Sequence, residues 1–485
     1  MNRFLTILFL TNIFSAYGQT AKQNSLNINN KLRPCKINGV KDSVLCGSYP
    51  VFENRETLSD RKINLKIIVI PALHPNSSAT PIFYIDGGPG VASTNNASFF
   101  ADSSIPYRQY HDIVLVDIRG TGGSNGLNCS SLQIKNGLQE QFEDMYPVKL
   151  VKECYDSLSK RADLKQYTTT NAVKDLEDVR KWLGYGKINI YGLSYGTRVA
   201  LVYMKMFPHS IQSCILWSPI PTYGRMPLYH ALYAQNSLEL LFTDCKNNSL
   251  CNNSFPDLEK EFNSLMLKMK SNPFTFLWTD SLGHSENLLI SWNSFQTKLR
   301  TLMYAPFSMR KIPFIIHQAY VGNFKPFISL YHNGADTSNS IAEGFYLCVT
   351  CAEDVPFIKS GEIDSLTNNT FMGKYRINQQ ADGCANWVRG NIPNDFLEPT
   401  ISDIPTLIMS GGYDPITPTS SAKEIASHLK NCTLVIIPQM SHTFDGLSNP
   451  ECFDEICLSF INNPVNTKWK LNCIKTMQPD NYRIK

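Results

Sequence analysis

The chain has 485 residues, 43% of them hydrophobic, and a formal net charge of +4. That length exceeds one ordinary domain and supplies a large core, either as separate domains or as one domain carrying an insertion. Lysines and arginines are scattered rather than clustered, so the composition excludes the electrostatic footprint of a nucleic-acid or membrane-surface binder.

At the start of the chain, Arg3 precedes an apolar run from Phe4 to Phe14, and Ala16 and Gly18 place small side chains just before Gln19. This is the grammar of a signal peptide over residues 1–18, and the run is too short to span a bilayer. It predicts a secreted or periplasmic protein with no stable membrane insertion once the leader is removed. The 14 cysteines agree with an oxidising compartment. Proximity along the chain suggests Cys35 with Cys46, Cys129 with Cys154, and Cys245 with Cys251. Cys214 lies in the apolar run CILW and reads as a buried thiol. Cys348 and Cys351 form a lone C-x-x-C without a second ligand pair, so no metal site is implied.

Further along, short apolar runs alternate with helical patterns, which predicts a mostly parallel sheet wrapped by helices. The strand candidates are 63–71, 82–86, 112–117, 187–192, 213–217, 405–411 and 433–438. Several are apolar at consecutive positions, as strands covered on both faces must be. Residues 171–184 carry helical spacing, with Gly184 as the stop. Between about 223 and 400 the pattern turns helical, irregular and aromatic. The chain therefore divides into a first core segment (19–222), an inserted, mainly helical cap (223–400) and a second core segment (401–485).

The strongest chemical signal is Gly192-Leu193-Ser194-Tyr195-Gly196, a G-x-S-x-G placed between a strand candidate and a helical run. That context puts Ser194 on a sharp strand-to-helix turn, with its hydroxyl lifted above the sheet. A serine hydroxyl needs a base to take its proton. His442 is the last histidine of the chain and follows strand candidate 433–438 by a short polar loop. Asp414 follows strand candidate 405–411 through two glycines, 28 positions before His442. A carboxylate there would hold the imidazole in the tautomer that faces the serine. The chain order, serine then acid then histidine, is that of the α/β-hydrolases. An oxyanion hole needs two backbone amides. Tyr195, directly after the nucleophile, and Gly88, in the DGGPG turn at 86–90, are the candidate donors. In DIRGTGGSN (117–125), Asp117 and Arg119 read as architectural residues.

Taken together, DGGPG, DIRGTGGS, YGLSYGT, GGYDPITP and the final Ser441-His442 resemble the proline iminopeptidase and tripeptidyl aminopeptidase group of α/β-hydrolases. The resemblance runs from about Cys46 to Phe444. It implies a serine exopeptidase that removes residues from peptide N-termini beneath a helical cap, without metal or organic cofactor. The stretches YLCVTCAEDVPF and CANW resemble the secreted members, which implies a Cys351–Cys384 bridge and a role for Glu353 in recognising a substrate ammonium. Glu343 and Asp354 are further acidic residues of the same cap region, but they read first as solvated surface, where unpaired carboxylates mostly lie. Two positions depart from the pattern: Asp86 stands where proline iminopeptidases carry histidine, and Ser218-Pro219 where relatives often carry Asp-Gly. The same triad serves esters, so an esterase or other small-molecule acyl hydrolase is the alternative.

Overall fold

The computed structural model describes residues 31–485 except 41, 59–60, 77–78, 134–136, 281, 333–340 and 466–470. The signal-peptide segment therefore lies outside the described residues. Nine strands form one sheet: β1 (Arg33–Cys35), β2 (Val44–Phe52), β3 (Lys62–Ile70), β4 (Ile82–Ile85), β5 (Ile113–Val116), β6 (Ile188–Leu193), β7 (Ile211–Trp217), β10 (Thr406–Gly411) and β11 (Cys432–Ile437). Their spatial order is β1-β2-β3-β5-β4-β6-β7-β10-β11, with β8 (Phe274–Thr279) and β9 (Ser285–Ile290) pairing separately. From β5 to β11 every neighbouring pair is parallel, while β1, β2 and β3 join antiparallel at one edge.

The sequence explains this arrangement. IFYI of β4 and IVLV of β5 are buried at every position, because helices cover both faces of the central strands. β3 starts as an alternating strand and becomes continuously buried at its end, where it enters the covered part of the sheet. The helix α1 (Thr169–Leu183) is capped by the Thr168 hydroxyl and ends on Gly184, whose φ of 87° only glycine adopts without penalty.

Three apolar clusters fill the molecule. One lies on each face of the sheet, and the third contains residues of 231–331, the β8–β9 hairpin among them, together with Phe142, Phe371, Met372 and Tyr482. The region expected to be a helical cap thus contains a two-stranded ribbon. Its later part, including Ala342, Phe345, Leu347, Trp387 and Phe396, packs into the same cluster as β3, β4 and β6.

Five disulfides are present: Cys35–Cys46, Cys129–Cys154, Cys245–Cys251, Cys351–Cys384 and Cys452–Cys473. The last of these was not expected from the sequence. Cys214 is a buried free thiol. No described helix is long and apolar enough to cross a membrane.

The segment after β5 is tied down by buried ions. Asp117 accepts from the Thr94 amide and hydroxyl and from the Gly123 amide. Arg119, fully buried, forks onto both oxygens of Asp175 at 2.7 and 2.8 Å and donates to the Glu53 and Gln166 carbonyls. Removing one partner of a buried pair strands the other. Arg119→Ala is expected to lower the unfolding free energy by about 3 kcal/mol or more in a urea titration; a loss below about 1 kcal/mol would contradict this structural role.

Candidate active site

The sheet itself brings the first two candidates together. The chain runs from β4 to β5 on one side and from β6 to β7 on the other, which makes the carboxyl ends of β4 and β6 a topological switch point. Ile85 of β4 pairs with Gly192 of β6, so the Asp86–Gly90 turn and the Leu193–Gly196 turn leave the sheet side by side.

Ser194 sits between β6 and the helix α2 (Tyr195–Met206) at φ 53°, ψ −118°, a conformation that a residue with a Cβ adopts only under constraint. The constraint is visible. The Ser194 amide donates to the Trp217 carbonyl, and the Ser194 carbonyl accepts from both the amide and the hydroxyl of Thr197. A Cβ on Gly192 would fall 2.5 Å from the Gly196 carbonyl oxygen, and one on Gly196 would collide with the Ile85 carbonyl. Both glycines of the motif are therefore steric requirements of the turn.

Asp414 and His442 are in direct contact. His442 Nδ1 lies 2.9 Å from Asp414 Oδ2. The acid also accepts from the amides of Ile416 and Thr417 at 2.8 and 2.9 Å and from the Thr417 hydroxyl at 2.8 Å. Burial alone would raise this carboxyl, but the imidazole and the hydrogen bonds outweigh it and hold Asp414 below its ordinary range. Gly411 and Gly412 let the histidine loop approach: a Cβ on Gly411 would run into the Ser441 carbonyl and one on Gly412 into the Pro438 carbonyl.

The loop carrying His442 is held from two sides. The Ser218 hydroxyl, at the end of β7, donates to the His442 carbonyl at 2.8 Å, which gives the Ser218 departure a local function. On the cap side, the Thr443 amide donates to the Tyr304 carbonyl, Ser441 bonds the Met303 carbonyl, and the Tyr304 ring meets the imidazole edge-to-face at 5.3 Å. The Ser194 hydroxyl makes no hydrogen bond to the imidazole among the described residues. Such bonds are often long without substrate and tighten in the complex.

Of the oxyanion candidates, Gly88 has φ 108°, and its amide finds no acceptor among the described residues. The backbone amide of Gly87 donates to Asp86 Oδ1 at 2.6 Å, and the side-chain Nδ2 of Asn96 donates to Asp86 Oδ2 at 2.5 Å. Burial pushes the Asp86 carboxyl up, partly offset by these two bonds. Asp86 thus stiffens the turn from within. Tyr195 opens α2, where a backbone amide has no partner inside the helix.

Glu353 is placed differently from an exposed amine receptor. It closes the helix α3 (Glu343–Glu353) and is fully buried. One of its oxygens takes the Thr169 amide at 2.7 Å and the other the Thr169 hydroxyl at 2.6 Å, and the Arg198 guanidinium lies 3.8 Å away. Thr169 Oγ1 is also 2.7 Å from the Tyr195 hydroxyl. Beside it, Asp354 forks onto Arg198 at 2.8 and 3.0 Å. Glu343 accepts from the Cys129 amide. The acidic residues of this region are thus committed to protein partners. Sequence reasoning missed Tyr304, whose ring meets His442, and Arg300, Arg376 and His230, which come together within the 223–400 region. No motif marks them, since their proximity comes only from tertiary packing.

Residues 80–444 match the family described as the alpha/beta hydrolase fold. The chain belongs to that family. It is 23% identical over 432 residues to the putative hydrolase YuaR of Escherichia coli K12, covering 85% of this chain and 84% of that protein. With the serine protease Hip1 of Mycobacterium tuberculosis H37Rv it shares 22% identity over 480 residues, 88% of each chain. The tripeptidyl aminopeptidase of Streptomyces lividans is 28% identical over 155 residues, 29% of this chain and 28% of that one.

Burial pushes the Glu353 carboxyl up to about 7, against the pull of Arg198 and the Thr169 bonds. The folded state then binds a proton that the unfolded chain has released. The associated stability is complete below the ordinary glutamate range and is lost as pH rises toward 7. The difference in unfolding free energy between wild type and Glu353→Gln is expected to fall by about 3 kcal/mol from pH 4.5 to pH 7.5. Equal slopes for the two proteins in pH-dependent denaturation would refute it.

Proposed function

We propose that this protein is a secreted or periplasmic serine exopeptidase that releases residues from peptide N-termini. Ser194 attacks the scissile carbonyl and His442 takes its proton. Asp414 fixes the ring and stabilises the imidazolium. The amides of Gly88 and Tyr195 receive the developing oxyanion. His442 then returns the proton to the leaving amine, and water releases the acyl group from Ser194 by the same route in reverse.

The observation that carries this reading is the 2.9 Å contact between His442 Nδ1 and Asp414 Oδ2, with the remaining acceptor sites of the acid filled by Ile416 and Thr417. A carboxylate so held has one free task, which is to orient the ring. The peptidase names of two relatives support amide rather than ester substrates. The signal-peptide grammar of residues 1–18 and the five disulfides support export to an oxidising compartment.

Defined peptides with free and acetylated N-termini, with products identified by mass, test the exopeptidase reading. Free peptides are expected to lose N-terminal fragments while acetylated ones survive. Equal cleavage of both, or turnover confined to p-nitrophenyl esters, would overturn it in favour of an endopeptidase or an esterase. Ser194→Ala is expected to abolish fluorophosphonate labelling and lower kcat by a factor on the order of 10^6. Asp414→Asn is expected to cost a factor on the order of 10^4, with KM little changed.

A further inference from the structure

Six arginines are buried among the described residues: Arg108, Arg119, Arg180, Arg198, Arg300 and Arg376. Four of them pair with a carboxylate, namely Asp42, Asp175, Glu177 and Asp354. Arg300 and Arg376 do not pair with a described carboxylate, and these two lie within electrostatic reach of each other in the 223–400 region.

Arg300 comes from the helix Trp292–Leu302 and is 5% exposed. Its Nε is buried without a hydrogen-bond partner. Its guanidinium lies over the Tyr304 ring at 5.6 Å, and that ring meets the His442 imidazole at 5.3 Å. Arg376 comes from the helix Tyr375–Cys384 and is 3% exposed. It donates to the Gln380 side-chain oxygen at 3.0 Å and to the Tyr346 hydroxyl at 2.8 Å, and it lies over the rings of Tyr146 and Tyr346. All these partners are neutral. His230, also buried, has an unpartnered Nδ1, and burial together with the charges of Arg300 and Arg376 pushes its imidazole well below the ordinary range. It therefore supplies no negative charge and stays neutral.

An uncompensated buried charge is costly, and two of like sign within reach of each other are costlier still. Every other buried arginine among the described residues pairs with a carboxylate of the chain itself. Among the described residues no carboxylate pairs with these two guanidiniums, and Arg300 is linked to the catalytic histidine through the Tyr304 ring.

We infer that Arg300 and Arg376 form a subsite for a carboxylate of the substrate, so that the enzyme prefers peptides carrying an anionic group close to the scissile bond. The planar guanidinium of Arg300 presents parallel N–H donors that match the two oxygens of a carboxylate. Tyr304 sets its distance from the imidazole. The carboxylate has two chemical sources, an acidic side chain next to the cleaved bond or the free C-terminus of a short peptide. The inference rests on the proposed hydrolytic role of His442 and Ser194 and adds the charge of the substrate.

The test compares kcat/KM for two matched pairs: a short peptide with a free or an amidated C-terminus, and a peptidyl arylamide with Glu or Gln before the scissile bond. At least one pair is expected to favour the anionic member about tenfold or more, as charged hydrogen bonds do, and the pair that does so identifies the source. Arg300→Gln and Arg376→Gln are expected to remove that preference, and Arg300→Lys to restore part of it. No preference in wild type, or an undiminished one in well-folded variants, would overturn the subsite. Thermal denaturation with and without glutarate provides a readout independent of turnover. Glutarate is expected to raise the Tm of wild type and of Arg300→Lys more than that of Arg300→Gln. If no substrate is cleaved but glutarate still discriminates in this way, the hydrolytic reading fails and the anion site stands. Absence of any glutarate effect on wild type, with peptides cleaved irrespective of charge, would leave the hydrolase without the subsite.

Discussion

The pairing of Ile85 with Gly192 is the contact on which the site depends. Two parallel strands in that register end level with each other, and the turns that follow must occupy the same small volume above the sheet. Only glycines allow it. A Cβ on Gly87 would lie 2.9 Å from the Ser194 Cβ, and one on Gly196 would penetrate the carbonyl of Ile85. The strained backbone of Ser194 is the outcome of this crowding. It is sustained because β7 and the Thr197 side chain bind the turn on its other sides.

Around that point, the segment between β7 and β10 works as a supporting wall. Met303 and Tyr304 hold the histidine loop from above, while Ser218 holds it from the sheet. At the opposite side, Glu353 and Asp354 at the end of α3 receive Thr169 of α1 and Arg198 of α2. The Tyr195 hydroxyl joins this buried chain through Thr169. The residue expected to donate an oxyanion amide is thereby fastened at its side chain to the cap. These links explain why acidic residues that look available in the sequence are consumed in the structure.

Much of this was legible in the sequence, for identifiable reasons. Central strands such as IFYI and IVLV announce themselves because both faces must be apolar. The glycine-flanked serine, the glycine pair before Asp414 and the short loop to His442 are visible because close packing restricts which residues fit there. β2 was not legible: VLCGSYPVF contains a glycine and a proline and lies toward the sheet edge, where such interruptions are tolerated. The β8–β9 ribbon was hidden in an aromatic stretch that resembled the helical remainder of the cap. Cys452–Cys473 carries no motif. Arg300 and Arg376 escaped notice because the lack of a counter-ion is a property of the folded neighbourhood, which no local pattern encodes.

The disulfides span short stretches, with sequence separations of 11, 25, 6, 33 and 21. Each stays within one of the three apolar clusters: Cys129, Cys154, Cys351 and Cys384 in one, Cys245 and Cys251 in the cap cluster, and Cys452 with Cys473 in the third, where Cys35 and Cys46 also pack. Covalent stapling therefore stiffens the separate layers and leaves the seam between cap and sheet to hydrogen bonds and side-chain packing. Any rearrangement at that seam breaks reversible contacts only and leaves every disulfide intact.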